Sequence, residues 1–276
     1  MGKKRLFAGL FIFLCFSLSA QAGLRIIVEE SAGGFTIVRA EGRARELVIP
    51  ETINGVPVVA IGEGAFIRSG LATVTIPDTV AEIGEGAFSH NDLTILVIGN
   101  NVQTIGRRAF SNNRLNDITI GTGVITIGMG AFANNELASV TIPDSVTAIE
   151  PYAFFYNRLT DVTIPDSVVT IGEGAFSTNR IFTVVVGSSV QHIGDGAFFN
   201  NQITSITIPP SVDVMGRRAF ESRVTRRGGI IPVDFVDIRG DVLYTTAGTF
   251  DAFFAATGRR AGTYTFSRAD GWVFQE

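Results

Sequence analysis

The chain has 276 residues, of which 46% are hydrophobic and 17% charged, and its formal net charge is −4 at pH 7. This apolar content, together with 31 glycines, is typical of a packed, turn-rich fold and excludes a disordered chain. Nothing in this acidic balance favours nucleic-acid binding, which requires a basic surface.

The first 22 residues have the pattern of a secretory signal peptide. Basic residues at positions 3–5 precede an apolar run over positions 6–18, and Ala-Gln-Ala at 20–22 supplies the small residues that an export peptidase reads. The alternative is a membrane anchor, but the run is shorter than the roughly 20 residues that cross a bilayer. The only cysteine, Cys15, lies in this segment, so we expect a mature chain without disulfides or cysteine metal sites.

One spacing dominates the remainder of the chain. Eight phenylalanines, each preceded by alanine, recur every 22 residues: Phe66, Phe88, Phe110, Phe132, Phe154, Phe176, Phe198 and Phe220. A constant period of about 20–29 residues with Leu, Ile and Val in phase is typical of a leucine-rich solenoid. We therefore predict a β-rich repeat solenoid over residues 49–220, a curved array of eight roughly 22-residue coils with a parallel sheet on one face.

Each coil combines one short strand with a row of interior residues. The alternation Val74-Thr75-Ile76 predicts a strand with one buried face, and equivalent strands are expected to stack in parallel. The recurring Phe is expected to stack from coil to coil through the interior. An asparagine stands three residues after the Phe in six coils. It either suits a turn or, as we favour, forms a buried hydrogen-bonded column: Asn91, Asn113, Asn135, Asn157, Asn179 and Asn201.

The two ends of the array depart from the period. Residues 23–48 contain two alternating apolar runs around Ser-Ala-Gly-Gly at 31–34, which predict a hairpin that caps the first coil. The first coil has about five extra residues at 53–57, whose Asn-Gly-Val-Pro predicts an outward loop. Residues 221–276 lose the phase and are predicted to form a linker and a small β-rich segment that serves as the second cap.

The repeat resembles a known family. The pattern L-x-x-V-T-I-P-D-S-V-x-x-I-G-x-G-A-F at 159–176 and I-N-G-V-P-V-x-x-I-G-E-G-A-F at 53–66 closely resemble BspA-like, or treponemal-type, leucine-rich repeats, over about residues 46–220. The resemblance implies a curved solenoid exported to a bacterial surface, with adhesion to host proteins such as fibronectin, to host cells or to other bacteria. That family usually carries Cys where this chain has Asn91 and its equivalents.

The residues do not predict an active site, a cofactor or a metal. The only histidines, His90 and His192, occupy different repeat positions several coils apart, so they cannot jointly bind a metal. The repeated G-x-G pairs lack the Lys-Ser/Thr of a phosphate loop and are interpreted as turns. Asp78, Asp144 and Asp166 follow prolines in phase; a calcium column is the alternative, but turn chemistry explains them better. An enzymatic alternative would confine catalysis to carboxylates of residues 221–276.

The outward-facing residues carry the functional prediction. Partner-binding candidates on the exposed strand face are Thr119, Thr141, Asp161 and Thr163, and large apolar candidates at outward positions are Phe155, Tyr156, Phe182 and Phe199. The alternatives are a threonine ladder that only stabilises the sheet and aromatic side chains that pack back over a neighbouring coil.

We therefore predict a monomeric, non-catalytic, exported protein-binding repeat protein, located at the cell surface, secreted or in the periplasm. Its expected partners are host extracellular-matrix or cell-surface proteins or other bacteria. The alternative is a structural envelope or periplasmic spacer without a specific ligand.

Overall fold

The computed structural model describes residues 14–17, 23–221, 254, 258, 262–267 and 271–275. Over the repeat region it confirms a β-solenoid of eight coils with parallel strands. We number coils 2 to 7 by 22-residue windows that end at the recurring asparagine, so that coil 5 is residues 136–157. In the part of the chain described, no helix is both long and apolar enough to cross a membrane.

Most coils contribute a longer strand and, after a turn, a two-residue strand on another side of the coil. The longer strands, which form the strand face, are β4 Glu46–Val48, β7 Thr73–Ile76, β9 Ile95–Ile98, β11 Asp117–Thr119, β14 Asp161–Thr163, β16 Thr183–Val185 and β18 Ser205–Ile208. The short strands are β8 Glu82–Ile83, β10 Thr104–Ile105, β12 Thr126–Ile127, β13 Ala148–Ile149, β15 Thr170–Ile171, β17 His192–Ile193 and β19 Val214–Met215.

The first and last described strands extend these two rows. At the N-terminal end lie β1 Leu14–Ser17, β2 Leu24–Ser31, β3 Gly34–Gly42, β5 Thr52–Ile53 and β6 Val56–Ile61, and at the C-terminal end lie β20 Gly262–Ser267 and β21 Gly271–Gln275. β2 and β3 form an antiparallel hairpin at the predicted place, and β3 continues in parallel into β6 and the short strands. β20 pairs antiparallel with β18, and β21 pairs with β20.

Two details of the ends differ from the sequence-based expectation or add to it. The predicted outward loop at 53–57 is instead a tight hairpin between β5 and β6, because Asn54 and Gly55 both take positive φ angles, 52° and 80°, as a two-residue hairpin turn requires. β1 lies inside the predicted signal peptide and pairs with the outer edge of β2. The signal peptide stays a prediction, and most of the predicted linker lies outside the described residues.

The two rows of strands differ in continuity at coil 5. The short strands pair without interruption from β8 to β19. The longer strands form two separate sheets, β11-β9-β7-β4 and β14-β16-β18-β20-β21, because Ser139-Val140-Thr141 of coil 5 does not form a strand. Val140 and Ile118 are accordingly half-buried, whereas the equivalent Val162 is buried. On the strand face, coil 5 therefore separates two halves of the solenoid.

The predicted phenylalanine column is confirmed. The eight rings stack with centroids 5.0–5.5 Å apart and interplanar angles of 3–11°. Seven of them are fully buried, and Phe220 at the end of the column is 4% exposed. This stacking sets the advance of the solenoid at about 5 Å per coil, close to the spacing of paired β-strands.

The predicted asparagine column is also confirmed, and Asn135 shows how it works. Its Nδ2 donates to the carbonyl oxygens of Phe110, one coil back, and of Phe132 in its own coil, both at 3.0 Å. Its Oδ1 accepts the Leu115 N–H at 3.0 Å. The other five asparagines repeat this pattern. Each side chain thus satisfies inward backbone groups of two successive coils.

Candidate binding surfaces

The eight predicted partner-binding residues do not form a single site. Thr119, Thr141, Asp161 and Thr163 are exposed on the strand face, on either side of the coil 5 interruption and within it. Phe182 immediately precedes β16 and is 42% exposed, at the margin of the same face. Its backbone remains in register, since its N–H donates to the Thr160 oxygen at 2.7 Å.

The other three residues lie at the turn that contains the buried Phe. Tyr156 is 58% exposed, whereas Phe155 and Phe199 are half-buried. The Phe155 ring contacts Tyr152 and Tyr156, with centroid distances of 6.0 and 6.1 Å, and the Arg218 guanidinium lies 4.6 Å from the centre of the Phe199 ring. For Phe155 and Phe199, packing against neighbouring side chains therefore accounts for much of the ring surface.

This turn has the same backbone geometry in every coil, and we call it the corner. The residue two before the Phe has φ between 53° and 62° at Gly64, Gly86, Arg108, Gly130, Tyr152, Gly174, Gly196 and Arg218. The residue two after the Phe has φ between 55° and 60° at Arg68, His90, Asn112, Asn134, Tyr156, Thr178 and Asn200. Left-handed backbone favours Gly and Asn, so a bulky residue there costs about 1–2 kcal/mol.

The stacked corners form a groove with two cavities that the sequence analysis did not predict. The larger has a volume of about 580 Å³ and is lined by Glu63, Gly64, Ile67, Glu85, Gly86, Ser89, His90, Arg108, Ser111, Asn112, Met129, Gly130, Ala133, Asn134, Tyr152 and Phe155. The smaller, of about 320 Å³, is lined by Tyr152, Glu173, Gly174, Ser177, Asp195, Gly196, Phe199, Arg217 and Arg218. Neither cavity includes a residue of the longer strands.

Tyr152 belongs to both cavities and separates them. One edge of its ring lies over the next coil, where a Cβ on Gly174 would be 2.5 Å from Tyr152 Cε1, so a side chain at residue 174 would displace the ring. Its hydroxyl donates a hydrogen bond to the Glu173 carboxylate, and its ring meets Phe155 edge-on at an interplanar angle of 88°. Tyr152 is nevertheless 37% exposed, so the ring is held in place while a ligand can still reach it.

The Glu173 contact also changes the acidity of Tyr152. The hydrogen bond to Glu173 raises the pKa of the Tyr152 hydroxyl above 10.0, with smaller contributions from burial and from the negative charge of Glu173. Because the folded-state pKa is raised, the contribution of this bond to stability is complete below pH 10.0 and is lost as pH rises through the folded-state pKa.

A pH titration tests this arrangement. We expect the Tyr152 hydroxyl to ionise above pH 10.0, and we expect Glu173→Ala to lower its midpoint, because that change removes both the acceptor and the charge. Ultraviolet absorbance titration of the wild type minus that of Tyr152→Phe isolates the signal of Tyr152. An unchanged midpoint in Glu173→Ala would show that the hydroxyl does not contact Glu173 in solution.

Two of the three carboxylates considered for calcium serve as caps between coils. Asp78 and Asp166 each accept, at 2.6 Å, the backbone N–H of the residue 22 positions further on, Asn100 and Ser188 respectively. This hydrogen bond lowers the pKa of Asp166, which stays exposed. Among the described residues, His, Cys, Asp and Glu do not form a group of three or more that could hold a metal ion. These contacts support the turn interpretation.

The sequence carried a signal for the corner groove. Most coils have Gly-x-Gly before the Ala-Phe pair, and in coil 4 the first glycine allows a close approach of the backbones, because a Cβ on Gly128 would lie 2.4 Å from the Ile105 oxygen. Coil 5 instead has Glu150-Pro151-Tyr152, and aromatic residues at 155 and 156 follow. This departure marks Tyr152, although only the structure shows which residues surround it.

Comparison with known proteins identifies the repeat. The BspA type leucine rich repeat region matches in six copies over residues 44–160, 104–226 and 148–269. A search of curated protein sequences finds no match.

Solved structures of bacterial proteins are similar to this chain. A leucine rich cell surface protein of Faecalibacterium prausnitzii is 23% identical, with a TM-score of 0.42, covering 75% of this chain and 86% of that one. The T. pallidum leucine rich repeat protein is 23% identical, with a TM-score of 0.46, covering 69% and 84%. The pneumococcal vaccine antigen PcpA is 15% identical, with a TM-score of 0.50, covering 76% and 79%. At these identities the likeness concerns the fold alone.

Proposed function

Because the chain belongs to the BspA-type leucine-rich repeat family, we propose that it is an exported, non-catalytic repeat protein that recognises proteins on host or bacterial surfaces. The predicted signal peptide supports export. The neighbours include a protein described as a cell surface protein and one described as a vaccine antigen, which is consistent with a surface role.

The observation that carries the proposal is the contrast between the interior and the outer surface. The stacked Phe rings fill the interior of each coil, and the Asn side chains hydrogen-bond its inward backbone groups. Both columns therefore stabilise the array, and their polar groups are already engaged and not available to a ligand. Outside, Tyr156 and Phe182 expose 58% and 42% of their surface. Exposed aromatic side chains on a rigid scaffold are the usual anchors of protein interfaces.

The titratable residues also favour binding over catalysis. A catalytic site requires acids and bases that converge within hydrogen-bond reach. His90 lies at the corner of coil 2 and His192 on the short strand of coil 7, and both are exposed. Asp78 and Asp166 are already engaged by backbone N–H groups. These four side chains therefore lie in coils 2, 6 and 7 and do not converge on one site.

Binding to isolated surface fractions tests the proposal. We expect the exported protein to bind host-matrix or bacterial-surface fractions saturably, and Phe182→Ser or Tyr156→Ser to weaken binding about tenfold or more, because each removes an exposed anchor. Ile125→Ser is the matched control, since Ile125 is 44% exposed beside the short strand β12.

Two results would contradict the proposal in different ways. Equal binding by all three variants would remove Phe182 and Tyr156 from the interface. An absence of saturable binding to every fraction, together with protection from added protease on intact cells, would favour the periplasmic spacer.

A further inference from the structure

We infer that the corner groove binds an uncharged, linear oligosaccharide of β1,4-linked pyranose rings, with Tyr152 as its aromatic contact. This inference goes beyond the proposed function, because it names a second surface and a different ligand class. It concerns the groove at the corners, apart from the strand face and Phe182.

The repeat of the groove favours a sugar chain over a peptide. Each coil presents the same corner backbone, and the ring stacking shows that successive corners are about 5 Å apart. In a pyranose chain linked through opposite ring positions, each sugar lengthens the chain by about the length of one ring. This length is close to the advance of the solenoid per coil. An extended peptide advances about 3.3 Å per residue and loses register with the coils after a few residues.

The shape of the larger cavity fits a flat ring. At Gly64, Gly86 and Gly130 the corner has no side chain, and Ser89 and Ala133 add only small ones. The cavity volume of about 580 Å³ lies in the range that binds small organic ligands. A ring can therefore approach the backbone closely at these three corners, on either side of the Arg108 side chain that lies between Gly86 and Gly130.

The polar groups around this cavity suit sugar hydroxyls. Glu63, His90 and Asn134 line it, and their side chains make no hydrogen bond to another described residue. A carboxylate, an imidazole and an amide together supply both acceptors and donors, as hydroxyl groups require. These side chains are available because the corner backbone is already hydrogen-bonded from coil to coil, for example by the Phe88 N–H to the Ala109 oxygen at 2.7 Å.

Tyr152 supplies the apolar contact. The negative face of an aromatic ring attracts the partly positive C–H groups on a pyranose face. Glu173 and Gly174 hold the ring between the two cavities, and it is 37% exposed. Tyr152 keeps this position at φ 60°, where five other coils have glycine.

The charge of the cavity argues for a ligand without charge. Glu63 and Glu85 bring two negative charges, which are offset by Arg108 in the lining and by Arg107, whose Nε lies 3.8 Å from Glu85 Oε1. An acidic polysaccharide would therefore gain no net attraction at this wall and would meet repulsion from the two carboxylates. Neutral sugars avoid that repulsion and use the same carboxylates as hydrogen-bond acceptors.

The test uses the full exported protein and the β1,4-linked tetrasaccharides of glucose and of N-acetylglucosamine. We expect calorimetry and ligand-observed NMR to detect binding of at least one, and Tyr152→Gly to weaken it about tenfold or more. Tyr152→Gly restores the residue of neighbouring corners and relieves the left-handed strain, so it should fold at least as well as the wild type. Phe182→Ser, on the strand face, is the control and should leave sugar binding unchanged.

Each other outcome overturns the inference. Failure of both sugars to bind, sugar binding that Tyr152→Gly does not affect, or displacement of the sugar by a short extended peptide of higher affinity would each do so. None of these results bears on Phe182-dependent binding to surface fractions, so the proposed function is tested separately.

Discussion

Phe132→Ala is expected to lower the free energy of unfolding by about 3–5 kcal/mol. Phe132 is fully buried, and its ring lies between those of Phe110 and Phe154 at 5.5 and 5.3 Å. The cavity that alanine leaves cannot close easily, because coils 3 to 5 are tied by the short strands and the asparagine column on both sides of it. Denaturant unfolding followed by circular dichroism measures the change.

The position of Phe132 adds a second expected result. In a repeat array, stability is the sum of coil terms and neighbour interfaces, so damage next to coil 5 weakens the coupling of the two halves. The strand face is already interrupted there, and unfolding should become broader or split into two transitions. Phe182→Ala, at an exposed ring, is the control and should change stability by about 0.5 kcal/mol or less. Equal losses in the two variants would contradict an interior column.

Asn135→Ala is expected to lower the free energy of unfolding by about 3 kcal/mol. The same substitution in a surface turn would be close to neutral. The change leaves the Leu115 N–H and the carbonyl oxygens of Phe110 and Phe132 without their partner in the interior. Burying unpaired backbone groups is what makes the substitution costly.

Two further variants separate the hydrogen bonds from the volume of the side chain. Asn135→Asp keeps the acceptor for Leu115 but loses both donors and turns a carboxylate towards two carbonyl oxygens, so it should cost at least as much as alanine at neutral pH. Asn116→Ala, an exposed asparagine in the same coil, should change stability by about 0.5 kcal/mol or less. A loss at Asn135 no larger than at Asn116 would reduce the column to a set of turn residues.

Coil 5 departs from the repeat in two places. It has no strand on the strand face, and at its corner it has Glu150-Pro151-Tyr152 in place of Gly-x-Gly. The predicted residues Thr119, Thr141, Asp161 and Thr163 surround the first feature, and Tyr152 with Phe155 and Tyr156 makes the second. Coil 5 therefore departs from the repeat on both the strand face and the corner groove, whereas Phe182 lies in coil 7.

The amino-acid sequence by itself determined the parts of this protein that repeat. A period of 22 with Ala-Phe and Asn in phase is sufficient to predict the coil number, the Phe column and the Asn column, because identical coils must place identical residues above one another. Only the tertiary structure decided where the repetition fails. Ser139-Val140-Thr141 alternates as Asp161-Val162-Thr163 does, yet only the latter pairs with a neighbouring strand, since pairing also needs a partner backbone in register, which the alternation by itself does not specify. Likewise Tyr152 divides the groove because Gly174, 22 residues away in sequence, lies directly beneath its ring.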